Sequence, residues 1–292
     1  MLAYRHAFHA GNPADMLKHT VLVAALRLLL AKPKALSYID THAGAGSYRL
    51  DQGMSQRLGE YHDGIGRAWL HDQVRLALQD APAHGLPQAL LDYLRLVLQD
   101  NPDGTLRVLP GSPALAARLL RPGDAMRLFE MHPADWRSLK SSLGRRRQTI
   151  LGHTDGFAGL RSLLPPPSRR ALVLIDPSYE LRGDYRQLLE ALREALQRFA
   201  TGVYLVWYPQ LQTLESRDLP RRLRGLAPGG WLDAQLTTAP PRADGFGLLG
   251  SGMFVINPPF GLQPLLEPAG RWLAQVLGRD GAGRFQLQAR PS

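Results

Sequence analysis

The run Ala171-Leu172-Val173-Leu174-Ile175 is apolar throughout and ends at Asp176-Pro177-Ser178-Tyr179. A short continuous apolar run reads as a buried parallel strand, so Asp176 stands at a strand tip. The residue types there suit work on an exocyclic amine. Such a nitrogen is a poor nucleophile, because its lone pair is delocalised into the ring. A carboxylate and a backbone carbonyl, from Asp176 and Pro177, can hold its two N–H groups and press it toward tetrahedral geometry. The ring of Tyr179 can then stack on an extruded base.

A second cluster closes another short strand, Ala35 to Ile39, which ends at Asp40 and runs into Thr41-His42-Ala43-Gly44-Ala45-Gly46. A glycine-rich turn between strand and helix lets a ligand approach the backbone, although tight turns also use glycine without any ligand. A dinucleotide fingerprint fails, because Arg49 holds the place of the third glycine, and no Gly-Lys-Ser/Thr marks a phosphate loop. An acid three residues before the first small residue, as Asp40 is, can instead reach the ammonium of an amino-acid moiety such as that of S-adenosylmethionine. Glu130 closes the strand Ala125–Phe129, where an acid binds ribose hydroxyls. Asp155-Gly156 follows a strand near Gln148–Leu151, where a carboxylate can accept from an adenine amino group. Ser112 is placed to cap a helix that opens with Pro113, beside the carboxylate of the same ligand.

The N-terminal twenty residues are dense in functional groups, among them Tyr4, His6, His9, Asp15, Lys18 and His19. His6, His9, Asp15, His19 and His42 could be read as metal ligands, but their spacing matches no common zinc pattern, and no metal is expected. Lys18 is one of four lysines in a chain with 31 arginines, which hints that a compact ammonium is wanted there.

These residues need a frame. Strands alternate with helices: Asp15–Lys32, Asp184–Phe199, Glu215–Leu226 and Leu262–Leu277 carry helical periodicity, and Val203–Trp207 reads as a strand. The strands Trp231–Thr237 and Gly252–Ile256 should pair antiparallel. The pattern predicts an α/β fold of the doubly wound, Rossmann-like kind, with seven strands, mostly parallel, the last antiparallel. Residues 51–110 are mostly helical and interrupt the expected loop-to-helix step. They are therefore expected to form a helical insertion in a main domain made of 1–50 and 111–292, with 1–20 closing over the site.

Composition narrows the function classes. A 45% hydrophobic and 21% charged chain of 292 residues excludes global disorder, collagen-like repeats and coiled-coil fibres. The absence of cysteine excludes a disulfide scaffold, a thiol nucleophile, a zinc ribbon and an iron–sulfur cluster, and it fits a cytoplasmic location. The apolar stretch Val21–Ala31 is broken by Arg27 and is too short to cross a bilayer. The N-terminus lacks the apolar region of a signal peptide, so no membrane partner is expected. The net charge of +10 favours a polyanionic partner. Arginine runs at 145–147, 169–170 and 221–224 are ordinarily solvated faces, but with a nucleic acid they become phosphate contacts that position without specifying.

Asp176-Pro177-Ser178-Tyr179 resembles the D/N-P-P-Y/F/W motif of amino-methyltransferases. Asn257-Pro258-Pro259-Phe260 matches that motif more closely by letter, but it follows the seventh strand, at the antiparallel edge. Ligands of open α/β sheets bind outside the carboxyl ends of the strands at a switch point, so Asn257 is set aside. The stretches from Tyr4 to His19, from Asp40 to Gly46, from Asp176 to Glu180 and from Gly252 to Pro259 together resemble the RlmJ family. Its members are bacterial 23S ribosomal RNA adenine-N6 methyltransferases, named for adenine 2030, and the resemblance covers essentially the whole chain.

The resemblance implies a class I methyltransferase fold with S-adenosylmethionine as donor and S-adenosylhomocysteine as product. Donor contacts fall on His19, His42, Ser112, Glu130, Asp155 and Gly156, with Asp40, Gly44, Gly46 and Asp176 beside them. Asp176 would accept the proton, with Pro177 and Tyr179 completing the tip. Lys18 begins a helix that closes over the donor, while Tyr4 and His6 reach the target base. Ser178 departs from the usual second proline, which keeps the carbonyl and loses loop rigidity. The implied partner is 23S rRNA, acted on by a monomer, since no long exposed apolar stripe is evident. Three rivals stay open on the residues: a DNA adenine methyltransferase, a catalytically silent RNA-binding module on the same fold, and a metal hydrolase built on the histidines.

Overall fold

The computed structural model describes residues 5–80, 85–227 and 229–291; Tyr4 lies outside the described residues. In chain order the elements are α1 (Pro13–Leu30), β1 (Ser37–Asp40), β2 (Ser47–Arg49), α2 (Met54–Leu58), α3 (Ile65–Trp69), α4 (Asp72–Leu78), α5 (Gln88–Leu98), β3 (Val108–Pro110), α6 (Ser112–Leu119), β4 (Ala125–Phe129) and α7 (Pro133–Leu143). There follow β5 (Thr149–Gly152), α8 (Gly156–Leu163), β6 (Ala171–Ile175), α9 (Arg182–Arg198), β7 (Val203–Gln210), α10 (Leu214–Leu226), β8 (Trp231–Thr237), β9 (Gly250–Ile256), α11 (Leu262–Leu277) and β10 (Arg284–Arg290).

Among the described residues the main sheet has eight strands, in the order β10-β8-β9-β7-β6-β1-β4-β5. Strands β1, β4, β5, β6 and β7 run parallel, and helices cover both faces, as the alternation predicts. The antiparallel pairing of β8 with β9 is present in register from Trp231↔Ile256 to Thr237↔Gly250. Two details differ from the expectation. An eighth strand, β10, pairs with β8, and it rather than β9 forms that edge. Residues 47–49 and 108–110 pair as a small antiparallel ladder, so the helical stretch between them leaves and re-enters through adjacent strands.

The strand order reverses beside β1, with β4 and β5 on one side and β6 and β7 on the other. A crevice outside the strand ends belongs at such a point. β1 and β6 are buried along their whole lengths, which matches the uninterrupted apolar sequence of β6. Helix α1 is buried over most of its circumference, because α5, α6, α11 and β9 all pack on it. The apolar residues of 51–110 join the same core cluster as α1 and α11. Asn12 caps α1 by accepting from the Asp15 N–H at 3.0 Å, with Pro13 in the first turn, a combination that fixes where the helix begins.

Ser112 is corrected in one respect. Gly111 is the cap of α6, and Ser112 is its first helical residue, with its hydroxyl donating to Asp40 Oδ2 at 2.7 Å. Ser112 stands one residue past the cap position, and its hydroxyl proton goes to the buried Asp40 carboxylate, which needs the donors it can reach.

Part of each arginine run serves the fold. Arg170 donates to the carbonyls of Leu29 (2.7 Å) and Lys34 (2.6 Å), at the C-terminal end of α1. Arg224 pairs with the buried Asp233 at 3.1 Å and lies 5.1 Å from the centre of the Trp231 ring. Arg146 donates to the Leu120 carbonyl at 3.1 Å.

Candidate active site

Two cavities meet at the tip of β6. One, of about 340 Å³, lies over the ends of β1, β4 and β5 and is walled by residues including His42, Gly44, Ser112, Glu130 and Asp155. The other, of about 450 Å³, lies toward β7, β8 and β9 and is walled by residues including Tyr179, Trp207, Pro209, Leu236 and Leu248. His6, Lys18, Asp176 and Ser178 line both. Pro177 faces the first and Tyr179 the second. The strand tip singled out in the sequence is therefore the partition between two chambers.

The first chamber depends on close backbone approach. A Cβ on Gly156 would sit 2.0 Å from the Thr41 carbonyl oxygen, and one on Gly44 would sit 2.1 Å from the Tyr48 hydroxyl. Gly44 also has φ of +62°, a conformation that side chains disfavour. Glu130 accepts from the Gly44 N–H at 2.9 Å and the His132 N–H at 2.6 Å, and burial pushes its carboxyl above the usual range. Asp155 caps α8 by accepting from the Phe157 N–H at 2.9 Å. His42 packs edge-on against Phe157 at 5.1 Å, and burial lowers its pKa.

Asp40 and Gly46 stand apart from the other predicted residues, since neither lines either chamber. Asp40 is fully buried. Its oxygens accept from the Tyr38 hydroxyl (2.7 Å), the Ser112 hydroxyl (2.7 Å) and the His42 N–H (3.2 Å). Burial raises its pKa against those hydrogen bonds. Asp40 thus holds two wall residues, Ser112 and His42, in place from behind the chamber wall. Gly46 accepts from the Gly111 N–H at 2.8 Å, which joins the loop after β1 to the start of α6.

The partition is an ionic chain. Lys18 Nζ lies 2.8 Å from Asp15 Oδ1 and 2.6 Å from Asp176 Oδ2. Asp15 Oδ2 meets His6 Nε2 at 3.0 Å and accepts from the Gly11 N–H at 2.8 Å. Burial opposes the charge on Lys18, but Asp15 and Asp176 outweigh it and hold the ammonium well above the usual lysine range. Burial likewise opposes charge on Asp15, and His6 and Lys18 hold it well below the usual carboxylate range. Asp15 is the functional residue that sequence reasoning left out of the site. Its signal was the i,i+3 spacing to Lys18 just inside a capped helix, which places both on one face.

The N-terminal segment lies across this junction. Arg5 Nη2 pairs with Asp135 Oδ1 at 2.7 Å, and the Ser55 hydroxyl donates to the Ala7 carbonyl at 2.9 Å. His9 Nδ1 meets Glu60 at 3.0 Å, which brings the helical stretch 51–110 to the second chamber. Among the described residues, no group of three or more histidine, cysteine or acidic side chains is placed to hold a metal ion. Tyr179 is nearly buried, with φ of +55°, and its hydroxyl donates to the Trp207 carbonyl at 2.6 Å. A bulky residue in that conformation is strained and persists only where its surroundings over-determine it.

His19 faces the first chamber and lies 3.3 Å from the Tyr93 hydroxyl through Nδ1. Burial pushes its pKa down to about 3, against 6.5 in an unfolded chain. The folded state therefore keeps His19 neutral where the unfolded state is protonated. Its contribution to stability is intact above about pH 6.5 and is lost as the pH falls toward 3. By pH 4.5 the loss amounts to about 2–3 kcal/mol, above the window in which Asp15 titrates. Urea unfolding of His19→Gln at pH 7 and pH 4.5 is expected to show a drop smaller than that of the wild type by this amount. Equal drops would contradict a neutral buried His19.

Asn257 lies elsewhere. β9 is antiparallel to β7, and Ile256 pairs with Tyr204 near the start of β7. Asn257 is thus at the end of the sheet opposite Asp176. Its Nδ2 donates to the carbonyls of Ala200 and Gly202, both at 2.7 Å, and its φ is +53°. Asn257→Ala should cost about 1–2 kcal/mol of stability and leave turnover at the wild-type level. A collapse of turnover in a folded variant would bring the second motif back.

The sequence model of the family described as Ribosomal RNA large subunit methyltransferase D, RlmJ, matches residues 33–289. The chain is 40% identical to Ribosomal RNA large subunit methyltransferase J of Escherichia coli K12 over 283 residues, covering 97% of this chain and 96% of that one. It is 38% identical to the protein of the same name from Haemophilus influenzae over 289 residues, covering 99% and 98%. Among solved structures, a Legionella pneumophila protein superposes with a TM-score of 0.84 at 32% identity, covering 97% of this chain and 98% of that one.

Proposed function

Because the chain belongs to the RlmJ family, we propose that its two chambers bring S-adenosylmethionine and one adenine of 23S rRNA together for methylation at N6. It is an S-adenosylmethionine-dependent ribosomal RNA methyltransferase. The choice of adenine N6, and of the adenine at position 2030, is our reading. The observation that carries it is Asp176, held by Lys18 at 2.6 Å where the walls of both chambers meet.

The first chamber fits the donor. Gly44 and Gly156 open its floor where any Cβ would collide with Tyr48 or Thr41. Glu130 suits the ribose hydroxyls, Asp155 the adenine amine, and the start of α6 with Ser112 the donor carboxylate. His19 and His42 add apolar and polar wall. Bound there, S-adenosylmethionine supplies an electrophilic methyl group and leaves as S-adenosylhomocysteine.

The second chamber takes the adenine. Asp176 and the Pro177 carbonyl accept its amine protons, and Tyr179 with Trp207 provides flat apolar wall. Lys18 fixes the orientation of the Asp176 carboxylate. His6 lies on the segment that covers the adenine, and Tyr4 is assigned with it to reaching the base. Most of the gain in rate comes from holding amine and methyl in line. We assign residues 51–110 to an insertion that completes the second chamber through Glu60 and Asp63. One chain carries both chambers, which supports action as a monomer. No helix among the described residues is long and apolar enough to cross a membrane.

The test is incubation of the protein with labelled S-adenosylmethionine and unmodified 23S rRNA, followed by digestion to nucleosides. N6-methyladenosine at a single site is the expected product. Label in DNA and none in RNA, or a different methylated nucleoside, overturns the assignment.

A further inference from the structure

We propose that Phe246, on the loop between β8 and β9, stacks on a nucleotide flanking the adenine that enters the second chamber. This inference rests on the reading of the substrate as RNA. It comes from the rim of that chamber. The register Thr237↔Gly250 and Gly250↔Gln210 places the β8–β9 loop at the same end of the sheet as the end of β7. β6, parallel to β7, ends in Asp176 there as well.

Three connections at this end, one of them the first residue of α10, carry large apolar side chains in solvent. Leu181 after β6 is 69% exposed, Leu214 after β7 is 78% exposed, and Phe246 after β8 is 76% exposed. The connections are tied to one another. Arg182 pairs with Glu215 at 3.5 Å, and Gln212 Nε2 donates to the Arg242 carbonyl at 2.9 Å. Leu248 of the Phe246 loop lines the chamber itself, so the exposed ring lies two residues from the chamber wall.

The loop is built to hold that ring outward. Gly245 and Gly247, at φ of +75° and +100°, flank Phe246. The Phe246 N–H donates to Asp244 Oδ1 at 3.0 Å, and Arg242 pairs with Asp244 at 3.0 Å. A phenylalanine ring held in solvent forgoes the burial that folding inward would give it, and a partner that stacks on it restores that burial. The partner's chemistry follows from what the chamber does. Extruding a base breaks its stacking with both neighbours, and a rigid ring at the mouth of the chamber can replace one of those contacts. Arginines on the same rim, Arg182 and Arg242, suit the adjoining phosphates, while stacking on aromatic rings is how unpaired strands are gripped without regard to sequence.

The experiment compares wild type, Phe246→Ala and Phe246→Trp. Methylation of unmodified 23S rRNA is measured with calorimetric binding of S-adenosylmethionine and binding of a fluorescein-labelled single-stranded oligoribonucleotide. Loss of one base–aromatic stack corresponds to about a 10-fold weakening or more. Phe246→Ala should raise the KM for rRNA and the Kd for the oligoribonucleotide on that order. Donor affinity and the slope of log Kd against log salt should be unchanged, since no phosphate contact is removed. Phe246→Trp should restore both. An alanine variant within twofold of wild type in both readouts overturns the proposal, as does a loss that tryptophan fails to rescue. If the wild type binds the oligoribonucleotide through Phe246 yet methylates no RNA, the functional reading fails and the stacking contact stands.

Discussion

Replacing Asp176 by alanine is expected to lower kcat by on the order of 10²–10⁴ while the Kd for S-adenosylmethionine changes only a few-fold. Two features of the site separate these quantities. The first chamber draws its walls from the loop after β1, from Glu130 after β4 and from Asp155-Gly156 after β5, so most donor contacts survive the change. The amine of the target base has no other carboxylate at the partition, because Asp15 is already engaged by Lys18, His6 and the Gly11 N–H. Single-turnover methylation with saturating rRNA, set beside calorimetric donor binding, reads both. Asp176→Asn keeps an acceptor oxygen for the amine, as the Asn of the D/N-P-P-Y/F/W motif does, but loses the charge that pairs with Lys18, so it should lie between the alanine variant and the wild type. Turnover of the alanine variant within tenfold of wild type would remove Asp176 from the role assigned to it.

The sequence shows the strand tips and hides what sits behind them. Ala171–Ile175 coincides with β6 because an unbroken apolar run between turn residues has one economical fate in a sheet covered on both faces, while Trp231–Thr237 coincides with β8 through its β-prone residues and the short Gly/Pro-rich link to β9. The residues that line the first chamber are legible for the same reason, since a strand end followed by glycine or an acid marks the crevice. Asp40 shows the limit of this reasoning. Spacing places it at the right tip, but only the packing of Tyr38, Ser112 and the loop after β1 decides whether its carboxylate faces a ligand or the protein. The eighth strand carries its own signal, the strict alternation of Phe285, Leu287 and Ala289, yet what makes it a strand is the open edge of β8 and the notch at Gly270. A Cβ there would come within 2.2 Å of the Phe285 ring. The link between Lys18 and Asp176 spans 158 residues. Partners that distant leave no periodicity to read, and a single sequence marks Lys18 only by its rarity among arginines.

That link makes Lys18 the second site of large effect. Lys18→Met is expected to destabilise the protein by about 3–5 kcal/mol, the range for removing one partner of a buried ion pair, and to lower kcat by on the order of 10². Methionine fills the volume of the lysine stem, so the loss arises from charge. Asp15 and Asp176 would face each other across the partition with no cation between them, and one would take up a proton or turn away. A double-mutant cycle distinguishes this from a simple packing defect. Asp15→Asn removes one of the two stranded carboxylates, so Lys18→Met in the Asp15→Asn background should cost markedly less than in the wild type, a coupling of 0.5–3 kcal/mol in the usual range for contacting groups. Stability by urea unfolding and turnover should part company in that double variant. Unfolding should recover, because fewer buried charges lack a partner, while turnover stays low, because Asp176 still has no ammonium to orient it. Additive losses in stability would mean that the three side chains do not act as one chain, and recovery of turnover would mean that Lys18 serves only the fold.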